Sequence, residues 1–324
     1  MVIDMIARNR GWIINCCDLT EKLVDALADA GINELGIHPG GGADAGRLLE
    51  ETLLFHDRPE TQALYRRAAE KGITVEYDIH ALSRLLPREE FARHPEWFRM
   101  DENGCRAADN NMCPSCEEAL RLVSENSEKL ARALKTNTHR YAYWTDDIDN
   151  KQCRCEKCGN LSPADQTLII TNAILRGLRR ADPQAIIGYL AYQDTLSVPE
   201  HVLPDEGVYL EYAPIRRNSS RPIDDPDCPE NAEQTAPLEA LLRFFGTKNA
   251  RVLEYWVDNS RFSQWKRPPR RMDFNAEVMR RDVAYYKSMG FEDMTSFACF
   301  LGEDYIELYG EPPIAEYAAV LKGN

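Results

Sequence analysis

The run Tyr141-Ala-Tyr-Trp-Thr-Asp146-Asp147-Ile148-Asp149 ends an aromatic, β-branched stretch in three carboxylates. That composition suits a buried strand, so the acids fall at a strand mouth, where a positioned carboxyl can hand a proton to a leaving group. Adjacent strand residues point to opposite sides, so Asp146 and Asp147 cannot both face one axis unless the backbone bends where the strand stops. One acid is therefore expected to transfer the proton while the other orients substrate or partner. Crowding also raises at least one carboxyl pKa, as a general acid working near neutral pH requires.

Three cysteines follow at once, as Cys153-x-Cys155-x-x-Cys158. Thiolates at this spacing are soft zinc ligands, and a tetrahedral ion needs a fourth, which Met112-Cys113-Pro-Ser-Cys116 can supply from Cys113 or Cys116. The expected set is Cys153, Cys155 and Cys158 with Cys113. An all-thiolate shell leaves no open coordination position, so such a zinc is structural; buried free thiols or an adventitious disulfide are the plainer alternative. Cys16, Cys17, Cys105, Cys228 and Cys299 show no comparable clustering. No organic cofactor is expected.

Short apolar strand candidates alternate with amphipathic helix candidates along the whole chain, the pattern of a parallel α/β fold. The strands read as Trp12 to Asn15, Glu34 to His38, Thr74 to His80, Tyr141 to Thr145, Ile186 to Tyr192, Val208 to Tyr212, Val252 to Val257 and Met294 to Phe297. Helices read as Thr20 to Ala30, Glu60 to Lys71, Glu117 to Leu134, Asp165 to Ala181, Leu238 to Phe245 and Ala276 to Met289, with Gly31, Gly72 and Gly290 placed to end three of them. Pro199 and Pro204 leave room for only a turn of helix in the fifth connection, and Pro312-Pro313 interrupts the last helix. Eight such units in 324 residues predict a single (β/α)8 TIM barrel spanning residues 1–324 as one catalytic domain. No Gly-rich phosphate turn follows the first strand, which argues against an open doubly wound sheet.

A barrel of this kind does its chemistry at the carboxyl ends of its strands. His80, Tyr192, Glu211, Glu254, Tyr255 and Trp256 fall there beside Asp146 and Asp147. Acids among aromatic rings suit a sugar: a carboxyl protonates the glycosidic oxygen, another steadies the oxocarbenium-like charge, and a flat ring stacks on a pyranose. Tyr255 and Trp256 are the expected platform. Arg216 and Arg217 can clamp a substrate carboxylate, although an Arg pair is more often a surface ion-pair element. Any one strand-end acid taken alone is more often a solvated loop residue or a helix cap; the cluster is what points to a site.

Lys and Arg number 39 against 53 Asp and Glu, a formal net charge of -14, so neither nucleic acid nor an anionic membrane is an expected partner. The N-terminal Met1-Val-Ile-Asp4 carries an acid where a secretion signal would be basic, no stretch is long and apolar enough to span a bilayer, and ten cysteines suit reduced thiols or a metal. A cytoplasmic location is expected. Oligomeric state leaves no mark in the sequence.

Several runs resemble a bacterial family of uncharacterised glycoside-hydrolase-like domains: His94-Pro-Glu-Trp97-Phe-Arg-Met, the Tyr-Trp-Thr-Asp-Asp strand end with its cysteines, Ser162-Pro-Ala-Asp165-Gln, Leu190-Ala-Tyr192 and Glu211-Tyr-Ala-Pro214. That family looks like a relative of the TIM-barrel β-N-acetylhexosaminidases and α-glucuronidases. The resemblance implies a glycosidase acting on a small glycan. In the hexosaminidases an acidic pair after the fourth strand works with the second acid as proton donor and the first orienting the substrate acetamido group. Carried over, this makes Asp147 the general acid and Asp146 its partner, with Asp replacing the usual Glu at the second place. Two competing readings remain: a metal-dependent sugar isomerase or epimerase holding a divalent cation on Asp78, His80, Glu211 and Glu254, and a non-catalytic carbohydrate-binding barrel.

Overall fold

A computed structural model describes residues 6–323. The chain begins with β1 (Asn9–Ile14), α1 (Glu21–Ala30), β2 (Glu34–Ile37), α2 (Ala45–His56), α3 (Pro59–Glu70) and β3 (Thr74–His80). It continues through α4 (Leu82–Leu85), α5 (Glu117–Ala133), β4 (Arg140–Trp144), α6 (Pro163–Ala181), β5 (Ile186–Ala191) and β6 (Val208–Tyr212). The last part holds α7 (Pro229–Thr235), α8 (Leu238–Phe245), β7 (Arg251–Glu254), α9 (Asn259–Phe262), α10 (Ala276–Ser288), β8 (Asp293–Phe297), α11 (Glu303–Tyr309) and α12 (Ile314–Leu321). The strands close in sequence order from β1 to β8, in parallel pairs, so the fold is the (β/α)8 barrel.

Strands covered on both faces are buried along their length, as β4, β6 and β8 are, and the polar residues they carry are enclosed with the apolar ones. Thr20 accepts the Leu23 amide to start α1, and Gly31, at φ 83°, ends it in the left-handed conformation. Between β5 and β6 only the turn Gln193–Thr195 is helical, and Pro312-Pro313 separates α11 from α12, as the prolines require. Helix α2 is an addition to the elements read from sequence: its start lies in a Gly-rich stretch that masks the helical period.

The chain divides into two compact units, one of residues 6–38, Asp57–Glu76 and 210–323, the other of Pro39–His56 and Tyr77–Tyr209. In the first, the Tyr317 hydroxyl of α12 donates to the Gly11 carbonyl at 2.7 Å while its ring meets Trp12 edge-on at 5.2 Å. Arg251, which opens β7, binds Glu34 at 2.8 Å, Glu76 at 2.9 Å and Glu211 through Nε at 2.8 Å. All four side chains are buried, so this layer is a polar core held by one guanidinium. Glu211, expected at a strand mouth, is the fourth of the five residues of β6, is buried in this layer and lies in register with Arg251.

In the second unit α5 packs along α6, and a Cβ on Gly177 would come within 2.0 Å of the Ser124 carbonyl, so only glycine permits that approach. Ser162 and Asp165 form a reciprocal capping box at the start of α6, which accounts for the Ser-Pro-Ala-Asp run as structure. Among the described residues no helix is long and apolar enough to cross a membrane.

Candidate active site

Beyond Trp144 the backbone leaves β4, and the two adjacent acids take different partners. Asp146 turns to Arg88, whose guanidinium binds its Oδ2, and accepts the Asn111 amide at 2.6 Å on the same oxygen. The Asp146 amide in turn donates to Asn111 Oδ1 at 3.2 Å, so this carboxylate is neutralised and fixed. Asp147 turns the other way and is half-buried. Its Oδ1 accepts the Tyr192 hydroxyl at 2.9 Å and its Oδ2 the Gly42 amide at 3.1 Å. Tyr192 follows β5 and Gly42 belongs to the loop after β2, so three βα loops meet at Asp147. The approach is close: a Cβ on Gly41 would lie 2.3 Å from Asp147 Oδ2.

His80 closes β3, is buried, and its Nδ1 bonds the Thr145 carbonyl at 2.7 Å. A carbonyl only accepts, so Nδ1 carries the proton, and in the neutral ring Nε2 is the basic nitrogen. The ring meets Trp144 edge-on at 5.1 Å. His80, Asp146, Tyr192 and Asp194 line one small cleft with about 40 Å³ of free space, and Asp147 lies beside it, joined to it through Tyr192. Asp194 lies in the turn just past β5. It accepts the Asn150 amide at 2.8 Å and the Gln152 side chain, and burial pushes its carboxyl up against those hydrogen bonds.

The segment that carries the acids runs directly into the cysteines. Cys113, Cys153, Cys155 and Cys158 are buried with all four sulfurs within 4.8 Å of one another. Cys113 Sγ lies 3.7 Å from Cys155 and 3.8 Å from Cys158. Sulfurs about 2.3 Å from a tetrahedral ion stand about 3.8 Å apart, so the cluster has the dimensions to hold a metal ion. The Met100 amide and Ser115 hydroxyl approach Cys153 and Cys158 at 3.3 and 3.0 Å, the kind of surrounding that steadies thiolates. Of the two candidates for the fourth position the geometry selects Cys113; Cys116 caps α5 and only packs against the cluster. Gln166 pins the loop from α6, accepting the Cys153 amide at 2.9 Å and donating to its carbonyl at 3.1 Å. The run at 94–97 supports the other side: His94 stacks on Trp97 at 3.9 Å, and the Trp97 carbonyl accepts the Cys113 amide at 2.9 Å.

In the first unit the expected substrate-binding groups are differently disposed. Glu254 is buried and accepts Arg217 Nη1 and the Tyr286 hydroxyl, each at 2.6 Å, and the Tyr255 amide at 3.0 Å. Arg217 also binds Asp282 of α10 at 2.5 Å, so it is an interior ion-pair partner. Burial raises the Asp282 carboxyl to about 6, opposed by Arg217. Trp256 donates its indole N–H to Asp282 at 2.8 Å and is 6% exposed, its ring beside Tyr286 and Tyr317. Tyr255 is 5% exposed and stacks on Phe297 at 5.4 Å. Neither ring presents an open face for a sugar. Arg216 is exposed. Glu211 and Glu254, two of the carboxylates named for a divalent cation, are each occupied by a guanidinium, one shared with Glu34 and Glu76 and the other with Asp282.

The model of the family described as Domain of unknown function (DUF4838) matches residues 52–296. The chain belongs to this family. The matched span includes Asp146, Asp147, Tyr192 and the four clustered cysteines. No curated protein matches the chain. Among solved structures it is similar to a pneumococcal exo-β-D-N-acetylglucosaminidase with GH20 catalytic modules, at 13% identity and TM-score 0.50 over 98% of this chain and 84% of that one. It is also similar to a β-galactosidase from Bacillus circulans sp. alkalophilus, at 12% identity and TM-score 0.56 over 98% of this chain and 55% of that one. A tri-modular GH5 endo-β-1,4-glucanase from Bacillus licheniformis aligns at 11% identity and TM-score 0.53 over 99% of this chain and 60% of that one. The chain thus spans little more than half the length of the last two. At these identities the likeness is one of fold, the (β/α)8 barrel.

Proposed function

We propose that this chain is a glycosidase acting on a small glycan, with Asp147 as general acid. The observation that carries the reading is the unequal environment of the adjacent acids: Arg88 compensates Asp146, whereas Asp147 is held only by neutral donors at the meeting of three loops. Asp147 is therefore the carboxyl able to gain and give a proton without breaking an ion pair, and a general acid gives its proton to the glycosidic oxygen as the bond breaks. Asp146 sets the place from which it acts. Asp194, pushed up by burial in the cleft that Asp146 and Tyr192 line, is a second carboxyl near Asp147. His80 and Tyr192 contact the sugar. The buried rings of Tyr255 and Trp256 stand outside this assignment, as do Glu211 and Glu254.

The cysteine cluster binds structural zinc in this reading, since an all-thiolate tetrahedral shell suits that ion. Zinc there ties the segment 111–113, whose Asn111 and Cys113 touch Asp146 and the other thiols, to the loop that carries Asp147. One barrel domain carries both features. Ten cysteines without a disulfide among the described residues support a reducing, cytoplasmic setting.

The test is Asp147→Asn, compared with the parent on a panel of aryl and alkyl glycosides. Turnover of the poor leaving groups should fall about 100-fold or more, the range general-acid catalysis supplies, while an activated aryl glycoside is hurt less because its departure needs little protonation. Unchanged turnover on the poor leaving group would remove Asp147 from the mechanism.

A further inference from the structure

The connection from β7 to α10 departs from the rest of this acidic chain. Between Asp258 and Asp273 there is no acid, while Arg261, Lys266, Arg267, Arg270 and Arg271 are basic. Arg267 pairs with Asp304. Among the described residues Lys266, Arg270 and Arg271 are exposed and make no ion pair, although Arg270 reaches the Gln264 amide oxygen at 3.5 Å. Beside them stands Trp265, 69% exposed, whereas Trp12, Trp144 and Trp256 are buried.

The backbone holds the indole out. Gln264 and Trp265 lie at φ 55° and 54°, a left-handed conformation that bulky residues rarely adopt and that persists only where the surroundings enforce it. Those surroundings are present on both sides. The Trp265 amide bonds the Ser260 carbonyl at 2.7 Å, the Arg270 amide bonds Ser263 Oγ at 2.9 Å, Asn259 donates to the Arg270 carbonyl at 3.0 Å, and the Tyr309 hydroxyl donates to the Pro269 carbonyl at 3.2 Å. The result is a fixed, exposed ring flanked by uncompensated cations at the carboxyl end of a barrel strand.

We propose that this loop binds an anionic saccharide, its carboxylate or sulfate groups paired with Lys266, Arg270 and Arg271 and a sugar ring stacked on Trp265. This goes beyond the glycosidase reading, since it assigns a saccharide-binding surface to the loop itself. A ring face covers the apolar side of a pyranose, and guanidinium groups take carboxylate or sulfate in paired hydrogen bonds. The overall charge of -14 repels polyanions elsewhere, so the loop supplies the local attraction.

The test is calorimetric binding to the full-length Asp147→Asn chain, which prevents consumption of the sugar. The probes are tetrasaccharides of galacturonate, hyaluronan and chondroitin sulfate, with methyl-esterified oligogalacturonate as a neutral twin. At least one anionic probe should bind about tenfold or more tighter than the neutral one, more weakly at high salt. Trp265→Ala and the triple change Lys266→Gln, Arg270→Gln, Arg271→Gln should each weaken it about tenfold or more. Failure of the whole anionic panel, equal binding of the ester, or unaffected variants overturns the proposal, as does a single-stranded oligonucleotide that displaces every saccharide. Turnover does not enter these readings. A chain that binds through Trp265 yet cleaves no glycoside defeats the hydrolase reading alone, and one that cleaves neutral glycosides with both variants fully active and anionic sugars unbound defeats this proposal alone.

Discussion

Gly41→Ala tests the site with a single methyl group. Gly41 lies at φ -110° and ψ -164°, extended backbone open to any residue, so alanine brings no strain of its own. Its Cβ would stand 2.3 Å from Asp147 Oδ2, against about 3.4 Å for an ordinary contact, so 3.4 minus 2.3 leaves about 1.1 Å to be found. The atom that must yield is the end of a short side chain rather than backbone, so the displacement falls on Asp147 and stretches its bonds to Tyr192 and Gly42. A misplacement of about 1 Å costs on the order of 100-fold in rate, about 2.7 kcal/mol of activation free energy. Thermal unfolding should stay near that of the parent because no core contact changes. The assay is kcat/KM on whichever glycoside the parent cleaves, beside a melting curve. Parent-like kcat/KM would show that the chemistry does not depend on where Asp147 sits.

Protein purified without added metal should contain about one zinc per chain by elemental analysis. Cys113→Ser should lose the ion and melt lower, while Cys116→Ser should keep it; metal-free parent protein, or equal loss in both variants, would end the assignment. A second expectation concerns pH. The Asp282 carboxyl is raised to about 6 in the folded chain against an ordinary 3.8, so its contribution to stability is greatest below about 4 and is lost as pH rises through about 6. The stability of the parent minus that of Asp282→Asn, from urea unfolding, should therefore fall across that window; a flat or rising difference refutes it.

The barrel is readable because strands buried on both faces are short apolar runs, and helices carry the longer period; Thr74–His80 and Val208–Tyr212 have the bounds the sequence predicts. Facing is harder to read. Tyr255 and Trp256 follow a four-residue strand, and nothing in their order says that the indole turns toward Asp282 of α10 rather than to a ligand. Glu211 has the same ambiguity, resolved only by Arg251, 40 residues away. Cys113 and Cys116 are equivalent by spacing and differ only once α5 begins. Arg88 and Asn111 give no signal because a residue that holds another residue in place has no motif of its own. The exposed Trp265 is equally silent, since exposure depends on the loop's fold.

Five residues, 148–152, separate Asp147 from Cys153. So short a tether reaches at most about 20 Å when fully extended, and folded it leaves Asp147 little independent travel. Folded mass and working sites can therefore be different quantities: a preparation grown in zinc-poor medium would hold intact barrels whose acid is slack. Under the zinc and glycosidase proposals, specific activity should then track metal content rather than soluble protein.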